Sequence, residues 1–478
     1  MIRALRHRTY RTLFTAQIVS LLGSGLATVA LGLLAYDLSG DRASLVLGAL
    51  FAVKMVAYVV VAPVAAAALR SLPRRSVMVA SDLIRVAVAL LLPFVAHTWQ
   101  IFVLVFVLQA ASAAFIPTYQ ATLPAVLTDE DDYTGALSLS RLVEDLETIG
   151  SPLVAALLLV FLPVHDLFFG TAIGFAASAV LVLAVALPAR GARSHITNDR
   201  NASDQVADEQ AAHEQDAHEQ AAHEQVGDEP ERPWGEHARE GMALFFRTPS
   251  LRPILLLNLV VAASVAYVLV QTVVIVRARL GLSDQWVALF LAVNGAGAIV
   301  AASTLGAVLA RLGERRLMLG SAVVLVALTA ATGVVVSVEA PLPVQAGAIA
   351  AAWLAIGAAW AWVETPMGRI IRRATLGRQP DQASLDQASV SDQTSGLDQA
   401  SLLDQAYAAQ FSLSHACWLL TYPLVGLLGQ LGLGVAAWVM AGVAALAAGA
   451  AIVVWPVSLT DQPTHHPKGS ITHESPAG

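Results

Sequence analysis

Four ionisable residues stand close together inside an otherwise apolar stretch: Arg141, Glu144, Asp145 and Glu147. A charge held in hydrocarbon costs about 2.5–3.5 kcal/mol even on the lenient insertion scale, so each of them needs a partner or a function. Arg141 lies three and four residues before Glu144 and Asp145, a spacing that allows an ion pair on one helix. Glu147 is out of register with Arg141 and lies about 18 Å into the stretch, near its middle. Two interpretations follow: a structural ion-pair network that locks this helix to its neighbours, or a proton or substrate role in which Glu147 binds and releases protons.

Lys54 is the only lysine inside an apolar stretch, because the other lysine, Lys468, lies near the C-terminus. An ammonium group in a membrane span also needs a reason to be there. One possibility is that Lys54 neutralises Glu144 or Glu147 from a neighbouring helix. The other is that its long side chain extends outward to the membrane surface.

The composition predicts a membrane protein. Of 478 residues, 56% are hydrophobic and only 13% are charged, whereas a soluble domain carries about 25% charged residues. A helix needs about 20 apolar residues to cross a bilayer, and open strands would leave backbone groups unpaired in lipid. We therefore predict an all-α membrane protein with twelve transmembrane helices in two six-helix halves. The predicted spans are 12–36, 44–69, 76–96, 100–127, 135–162, 166–187, 251–276, 285–310, 316–337, 342–363, 407–429 and 434–458.

The placement of arginines predicts the orientation of these spans. Cytoplasmic loops carry an excess of basic residues, and alternate loops of this chain do so. The basic loops contain Arg3, Arg6, Arg8, Arg11, Arg70, Arg74, Arg75, Arg311, Arg315, Arg316, Arg369, Arg372, Arg373 and Arg378, and the others only Arg42, Arg277 and Arg279. Both termini are therefore expected in the cytoplasm. The scarcity of lysine beside abundant arginine and alanine suggests a bacterial source, and hence the bacterial cytoplasmic membrane.

Two polar segments divide the chain further. Residues 188–247 contain the near-repeat DEQAAHEQDAHEQAAHEQ, and residues 379–405 contain DQASLDQASVSDQTSGLDQASLLDQA. Both lack the apolar content of a core and are expected to be flexible or weakly helical. The predicted organisation is a first half at 1–187, a cytoplasmic linker at 188–247, a second half at 248–458 with an insertion at 379–405, and a cytoplasmic tail at 459–478.

Six helices, a long cytoplasmic linker and six more helices resemble the major facilitator superfamily. Its signature between helices 2 and 3, repeated between 8 and 9, consists of a small residue, an Asp and a basic cluster. The first copy here is APVAAAALRSLPRRSVMVASDLIR, with Arg70 in the position of the Asp, and the second is GAVLARLGERR, also without the Asp. FIPTYQATLPAVL and ALSLSRLVEDLETIGSPL resemble the fourth and fifth helices of the enterobactin-exporter and macrolide-efflux branch.

The signature region supplies the residues expected at the inner gate. The basic pairs Arg74-Arg75 and Arg315-Arg316 belong to its two copies. Asp82 and Arg85 are three residues apart and are expected to pair on one helix. Since ion-pair networks also occur for structural reasons, a scaffold role is predicted for these six residues.

The resemblance implies that helices 1, 4, 7 and 10 line a central cavity. Aromatic rings and a carboxylate there would suit cationic or aromatic ligands. Tryptophans at span ends also serve as interface anchors, and polar side chains join helices without any ligand. The predicted cavity residues are Trp360, Glu364, His415, Cys417, Gln109 and Tyr119.

The predicted function is proton-driven export of a small organic molecule by alternating access. Glu144, Asp145 and Glu147, with Arg141, are the candidates for proton coupling. The proton gradient is the expected driving force, with no cofactor. A G-x-x-x-x-G-K-[ST] phosphate loop is absent from the sequence, so an enzyme that hydrolyses ATP is not expected. The expected partners are the lipid bilayer and the small-molecule substrate, with no nucleic acid, and the expected state is a monomer.

Two alternatives remain at this point. Six histidines in the linker and tail, His213, His218, His223, His465, His466 and His473, suggest export of a divalent metal ion. A five-residue spacing does not place linker histidines on one helix face, and the single cysteine permits no multi-cysteine zinc site, so no metal site is predicted. A membrane scaffold or sensor that transports nothing is the second alternative, although it would have little use for buried acids.

Overall fold

A computed structural model describes residues 2–61, 64–65, 68–69, 72–127, 129–185, 243, 245–249, 251–376 and 392–455, and these form α-helices joined by short turns. The first half contains α1 (Arg8–Ser39), α2 (Ala43–Val56), α3 (Arg74–Leu91), α4 (Thr98–Val126), α5 (Glu130–Leu158) and α6 (Val164–Leu183). The second half contains α7 (Arg252–Val274), α8 (Asp284–Ser337), α9 (Leu342–Leu376), α10 (Asp392–Gly429) and α11 (Leu433–Val454). The predicted all-α fold is confirmed.

Two glycines reverse the chain inside long apolar stretches. Gly40 ends α1 with a φ of 50°, a conformation that favours glycine because it lacks a Cβ. Gly313 interrupts the 54-residue α8 with a φ of 73°. A straight helix of that length would measure about 80 Å, far more than a bilayer core of about 30 Å. Arg279 donates to the carbonyl of Val336 at the end of α8, so the second arm returns to the level of the end of α7.

Within the described residues, nine helical segments are long and apolar enough to cross a membrane. Two of them, Arg8–Val61 and Asp284–Ser337, contain the reversals at Gly40 and Gly313 and span the membrane twice if each arm crosses. The charged helix α5 is not among the nine. Counting those two segments twice and adding α5 gives twelve crossings. The number twelve stays a prediction.

Two helices extend beyond their predicted spans, α9 at its C-terminal end and α10 at its N-terminal end. α9 continues to Leu376 instead of ending at 363, and Arg373 in its last turn pairs with Glu314 of α8. α10 begins at Asp392, within the predicted insertion, so part of 379–405 is helical. Apolar length predicts only the part of a helix that lies in lipid, and these extensions are polar. Residues 188–242, 377–391 and 456–478, with the six histidines named above, lie outside the described residues.

Each half packs mainly through its own helices, and a few pairs connect the halves. α1 packs along α6, and α3 lies against α4 and α6. In the second half, α8 packs on α9 and α11, and α7 packs on α10 and α11. The halves meet where α2 packs on α10, α5 on α8 and α1 on α7. A cavity at such an interface can change its access when the halves tilt.

Cysteine labelling tests the predicted orientation. Since Cys417 is the single cysteine, Cys417→Ser gives a cysteine-free background. In intact cells, a membrane-impermeant maleimide should label Asp41→Cys and Glu339→Cys, which are exposed at the turns after α1 and α8. Arg316→Cys, near the reversal at Gly313, should react only after permeabilisation. Equal labelling of all three positions in intact cells would contradict the predicted topology.

Candidate functional site

A small, partly open cavity lies between α1, α2 and α4 of the first half. Most of its wall is apolar, and its polar groups are the Thr28 hydroxyl, the Lys54 ammonium and the Gln109 amide, all half-buried. An apolar chamber with a few polar groups is the usual form of a small-molecule site. The lining residues are Thr28, Leu31, Gly32, Leu47, Leu50, Phe51, Lys54, Val105 and Gln109.

Glu147 lies next to this cavity. Its carboxylate packs on Gly25 of α1 so closely that a Cβ added there would lie 3.1 Å from Glu147 Oε1. Gly25 and Thr28 are three residues apart and share one face of α1, and Thr28 lines the cavity. Glu147 also lies within electrostatic range of Lys54. The structure thus places Lys54 in the cavity wall near Glu147, rather than extended to the membrane surface.

An aromatic face of α10 approaches the cavity from the second half. His415 lies 6.1 Å from the ring of Tyr58, at the end of α2, and its Nδ1 is 2.7 Å from the Phe411 carbonyl of its own helix. Farther along α10, Tyr422 stacks at 4.9 Å on Phe51, which lines the cavity. Trp418 lies between His415 and Tyr422 in sequence, and its ring is tilted against that of Tyr422 at 5.2 Å. The second half therefore contacts the cavity wall from behind, through Tyr422 against Phe51, while the lining residues belong to the first half.

The two halves are sealed at the end of the bundle where α1 turns into α2. Ser44 donates to Gln271 Oε1 at 2.8 Å, which joins α2 to α7. Arg277 lies 3.5 Å from Asp37 of α1 and 5.3 Å from the centre of the Tyr36 ring. In the described part of the opposite end, the ion pairs of Asp132 with Arg3 and His7, and of Glu314 with Arg369 and Arg373, each stay within one half.

Close backbone contact completes the seal. Gly48 of α2 faces Gly426 and the Tyr422 carbonyl of α10, and a Cβ added at Gly48 would lie 2.8 Å from Gly426 Cα. Small residues allow helices to approach this closely in a membrane. Any larger side chain at Gly48 would force the two halves apart.

Asp82 and Arg85 form a second charged centre inside the first half. They pair with each other and are 0% and 3% exposed. Ser178 donates to Asp82 at 2.8 Å, and Arg85 donates to Ser20 at 3.1 Å. The guanidinium also lies 4.5 Å from the ring centres of Phe115 and Phe175. The pair thus joins α1, α3, α4 and α6, which supports the predicted scaffold role.

The six predicted cavity residues form three pairs that differ in their position relative to the cavity. Gln109 lines the cavity, and His415 faces Tyr58 across the interface. Trp360 is half-buried and lies edge-on to Trp418 at 6.4 Å, and Glu364 is half-buried one turn farther along α9. Tyr119 and Cys417 are only 3% and 8% exposed, and neither is among the residues that line the cavity. Tyr119 instead stacks on Phe115 in the core of the first half.

The basic pairs among the predicted gate residues lie at the start of α3 and beside the reversal of α8 at Gly313. Arg75 donates to the Leu183 carbonyl of α6, Arg74 and Arg315 are half-buried, and Arg316 is exposed. The side chains of Arg141, Glu144 and Asp145 lie outside the described residues. Within the described ranges, no three His, Cys, Asp or Glu side chains come together as a metal site would require.

The sequence analysis missed Glu314, the acid of the second signature copy. Its carboxylate pairs with Arg373 and lies 3.7 Å from Arg369 Nε, so it ties α8 to α9. Glu314 directly precedes Arg315-Arg316 in sequence. An acid beside a basic pair, facing the arginines at the end of the next helix, was the pattern that could have identified it.

Family comparison agrees with this architecture. The sequence profile of the Major Facilitator Superfamily matches residues 13–384, most of the chain. The chain belongs to this superfamily. The resemblance seen in the sequence is thereby confirmed, and this major facilitator is a multi-pass membrane transporter.

Individual relatives are distant. The uncharacterised MFS-type transporter YfiS of Bacillus subtilis (strain 168) is 23% identical over 303 residues, covering 62% of this chain and 63% of that protein, less than two thirds of its length. The nucleoside transporter NupG superposes with a TM-score of 0.66 at 12% identity, over 94% of this chain and 99% of NupG. A bacterial homologue of the human lysosomal transporter Spinster, inward-facing and unoccupied, gives 0.60 at 12% identity, over 94% and 95%. These structural likenesses show the fold.

The buried pair Asp82–Arg85 should dominate the stability of the first half. Asp82→Asn leaves the Arg85 charge without its carboxylate and should cost about 3–5 kcal/mol. Thermal unfolding in detergent should show a clearly lower Tm than wild type. The control is Asp41→Asn, whose side chain is exposed. Equal melting of the two variants would refute a structural role for the pair.

Gly48→Ala should open the sealed end, because the added Cβ collides with α10. In the Cys417→Ser background, spin labels at Asp41→Cys and Gln430→Cys report the separation across the seal. Both positions lie at the sealed end, because Gln430 donates to the Asp41 carbonyl at 3.3 Å. We expect Gly48→Ala to populate longer distances in double electron–electron resonance.

Gly442→Ala on α11 is the matched control, since no atom lies within 4 Å of a Cβ added there. It should leave the distance distribution unchanged. If Gly48→Ala gives the same distribution as this control, close contact at Gly48 does not hold the seal.

Proposed function

We propose that this major facilitator couples proton movement to the movement of a small organic molecule by alternating access. The observation that supports it is the placement of Glu147 beside the cavity and within electrostatic range of Lys54. A carboxylate there can exchange its proton without losing all electrostatic compensation, because the ammonium remains near it. The seal at one end of the bundle supports alternating access, in which the two halves rock about the cavity.

Export is the direction implied by the resemblance to the efflux branch. Export driven by proton entry requires that the proton and the cargo occupy the site in turn. The ionised pair of Lys54 and Glu147 has no net charge, and protonation of Glu147 makes it positive. Protonation therefore expels a cationic cargo, which gives exchange, and attracts an anionic one, which gives co-transport. The charge of the cargo thus sets the direction of coupling.

The lysine in the cavity wall favours the second mode, co-transport. Among the described residues that line the cavity, only Lys54 is charged. A cation in this chamber would face that ammonium directly, whereas an anion would be attracted to it. Export by exchange and co-transport therefore stand as two forms of one proposal, with Glu147 as the proton site in both.

Transport in proteoliposomes with an imposed pH gradient tests the proposal. The probes are benzenesulfonate and phenyltrimethylammonium, whose charges are permanent, so neither redistributes through its own protonation. Wild type should accumulate one probe in response to the gradient. In Glu147→Gln the ratio of transport with and without the gradient should fall by about tenfold, as expected when a coupling free energy of 1–3 kcal/mol is lost.

Glu339→Gln is the control, because Glu339 is exposed in the turn between α8 and α9. It should transport like wild type. If the probe moves without regard to the gradient and Glu147→Gln equals wild type, coupling through Glu147 is wrong. If neither probe moves, the proposal that this protein transports small aromatic ions is wrong.

The predicted metal exporter differs from this proposal in one readout. Its histidine tracts lie outside the described residues, and no described cluster supports it. Deleting residues 208–225 and 464–473 should leave resistance to divalent ions unchanged under the present proposal. Loss of that resistance would favour metal export instead.

A further inference from the structure

The cavity is amphipathic in a specific arrangement. Lys54 of α2, Gln109 of α4 and Thr28 of α1 are its polar lining residues, and they come from three different helices. Lys54 and Gln109 can donate hydrogen bonds into the cavity, and Lys54 can only donate, whereas the Thr28 hydroxyl donates to the Ser24 carbonyl of its own helix. The rest of the wall consists of Gly32 and the apolar side chains Leu31, Leu47, Leu50, Phe51 and Val105. A ligand that fits this wall has an acceptor-rich head and an apolar body.

Glu147 competes with such a ligand for the ammonium of Lys54. The carboxylate packs on Gly25, one helical turn from Thr28 in the cavity wall. The carboxylate thus lies within electrostatic range of Lys54, and Lys54 also lines the cavity. An ammonium has three donors but one charge, so it cannot fully compensate two anions in an apolar chamber.

We propose that the cargo is an amphipathic organic anion, such as an aromatic sulfonate or carboxylate, whose charged head replaces Glu147 as the partner of Lys54. This inference rests on the proposed function, since it assumes that the cavity holds the transported molecule. It adds the substrate class and identifies Lys54 as the residue that determines specificity. The Gln109 amide orients the head, and Phe51 with the surrounding leucines receives the body.

The charges around Lys54 fix the sign of the coupling. With Glu147 ionised, a bound anion leaves the site with a net negative charge; with Glu147 protonated, anion and ammonium balance. Protonation of Glu147 therefore strengthens anion binding, and by reciprocity a bound anion favours the proton. His415 of α10 also lies within electrostatic range of Lys54, and its protonation would attract the anion too.

Among the side chains that the structure describes, two further charged or titratable groups near Lys54 and His415 leave this sign unchanged. Tyr58, just after α2, contacts His415 and lies within electrostatic range of the Arg85 guanidinium of α3. Arg85 is already paired with the buried Asp82. Proton and anion thus share the loaded state, and a proton gradient moves both in one direction. Exchange, the mode implied by the efflux resemblance, would apply only to a cargo without negative charge.

Binding measurements on the purified full chain in lipid nanodiscs test the inference. Benzenesulfonate and phenyltrimethylammonium share a ring and differ in the sign of a permanent charge. Wild type should bind benzenesulfonate about tenfold more tightly in mildly acidic than in mildly alkaline buffer, within the usual range of coupling between sites. Phenyltrimethylammonium should bind weakly and should lose affinity on acidification.

Three variants separate the roles of the two charges. Lys54→Gln should lose benzenesulfonate binding, and Lys54→Arg, which keeps the charge, should restore it. Glu147→Gln should bind benzenesulfonate tightly with most of the pH dependence removed, and His415→Gln should retain that dependence. If Lys54→Gln alone fails to fold, Lys54→Gln combined with Glu147→Gln leaves no unpaired charge and should fold without binding the anion.

The inference is overturned if phenyltrimethylammonium is the probe that binds, if neither probe binds, or if Lys54→Gln binds benzenesulfonate like wild type. These outcomes are separate from failure of proton-coupled transport. In that case binding would follow the pattern above while movement in proteoliposomes ignored the pH gradient.

Discussion

The free-energy cost of a charge in hydrocarbon governs this protein, and two sets of charged residues meet it in different ways. Asp82 and Arg85 are almost fully buried, with serine hydroxyls and two aromatic rings around them. That pair has little freedom to exchange partners, and it fixes four helices of the first half. Lys54, by contrast, is half-buried at a cavity, with Glu147 beside it. Because Lys54 is only partly buried, its ammonium and the Glu147 carboxylate are available to a ligand and a proton, as a transporter requires.

Helix packing places this exchangeable pair where movement of the halves can affect it. α2 carries Lys54 in the cavity wall and, two turns earlier, Gly48 in the seal against α10. The same helix ends in a π-helical turn at 57–61, which brings Tyr58 to His415 of α10. π-Helical turns recur at functional sites because they redirect side chains. One helix therefore connects the bound charge, the seal and the contact with the other half.

The helices could be predicted from the sequence, but the faces they present could not. Apolar runs reveal spans because hydrocarbon tolerates only helices whose backbone groups are paired. α4 is apolar on all sides, so no periodicity shows that Gln109 points to the cavity while Tyr119 points into the core. The polar extension of α9 and the role of Glu314 were missed for a related reason. The extension of α9 and the role of Glu314 depend on contacts between helices. Neither the length of an apolar run nor a motif with Asp at one fixed position reveals such contacts.

The presence of a lysine in the cavity wall carries information about the cargo. A chamber for a neutral molecule could use Gln109 and Thr28 alone, without the cost of a cation in the membrane. Glu147 lowers the cost of the Lys54 charge while the chamber is empty. If neutralising a cation were its only task, a fully buried pair such as Asp82 and Arg85 would serve as well. A compensating acid beside an accessible ammonium is useful when something else of negative charge takes its place. The partial exposure of Lys54, together with the apolar wall around it, is the physical basis for expecting an organic anion.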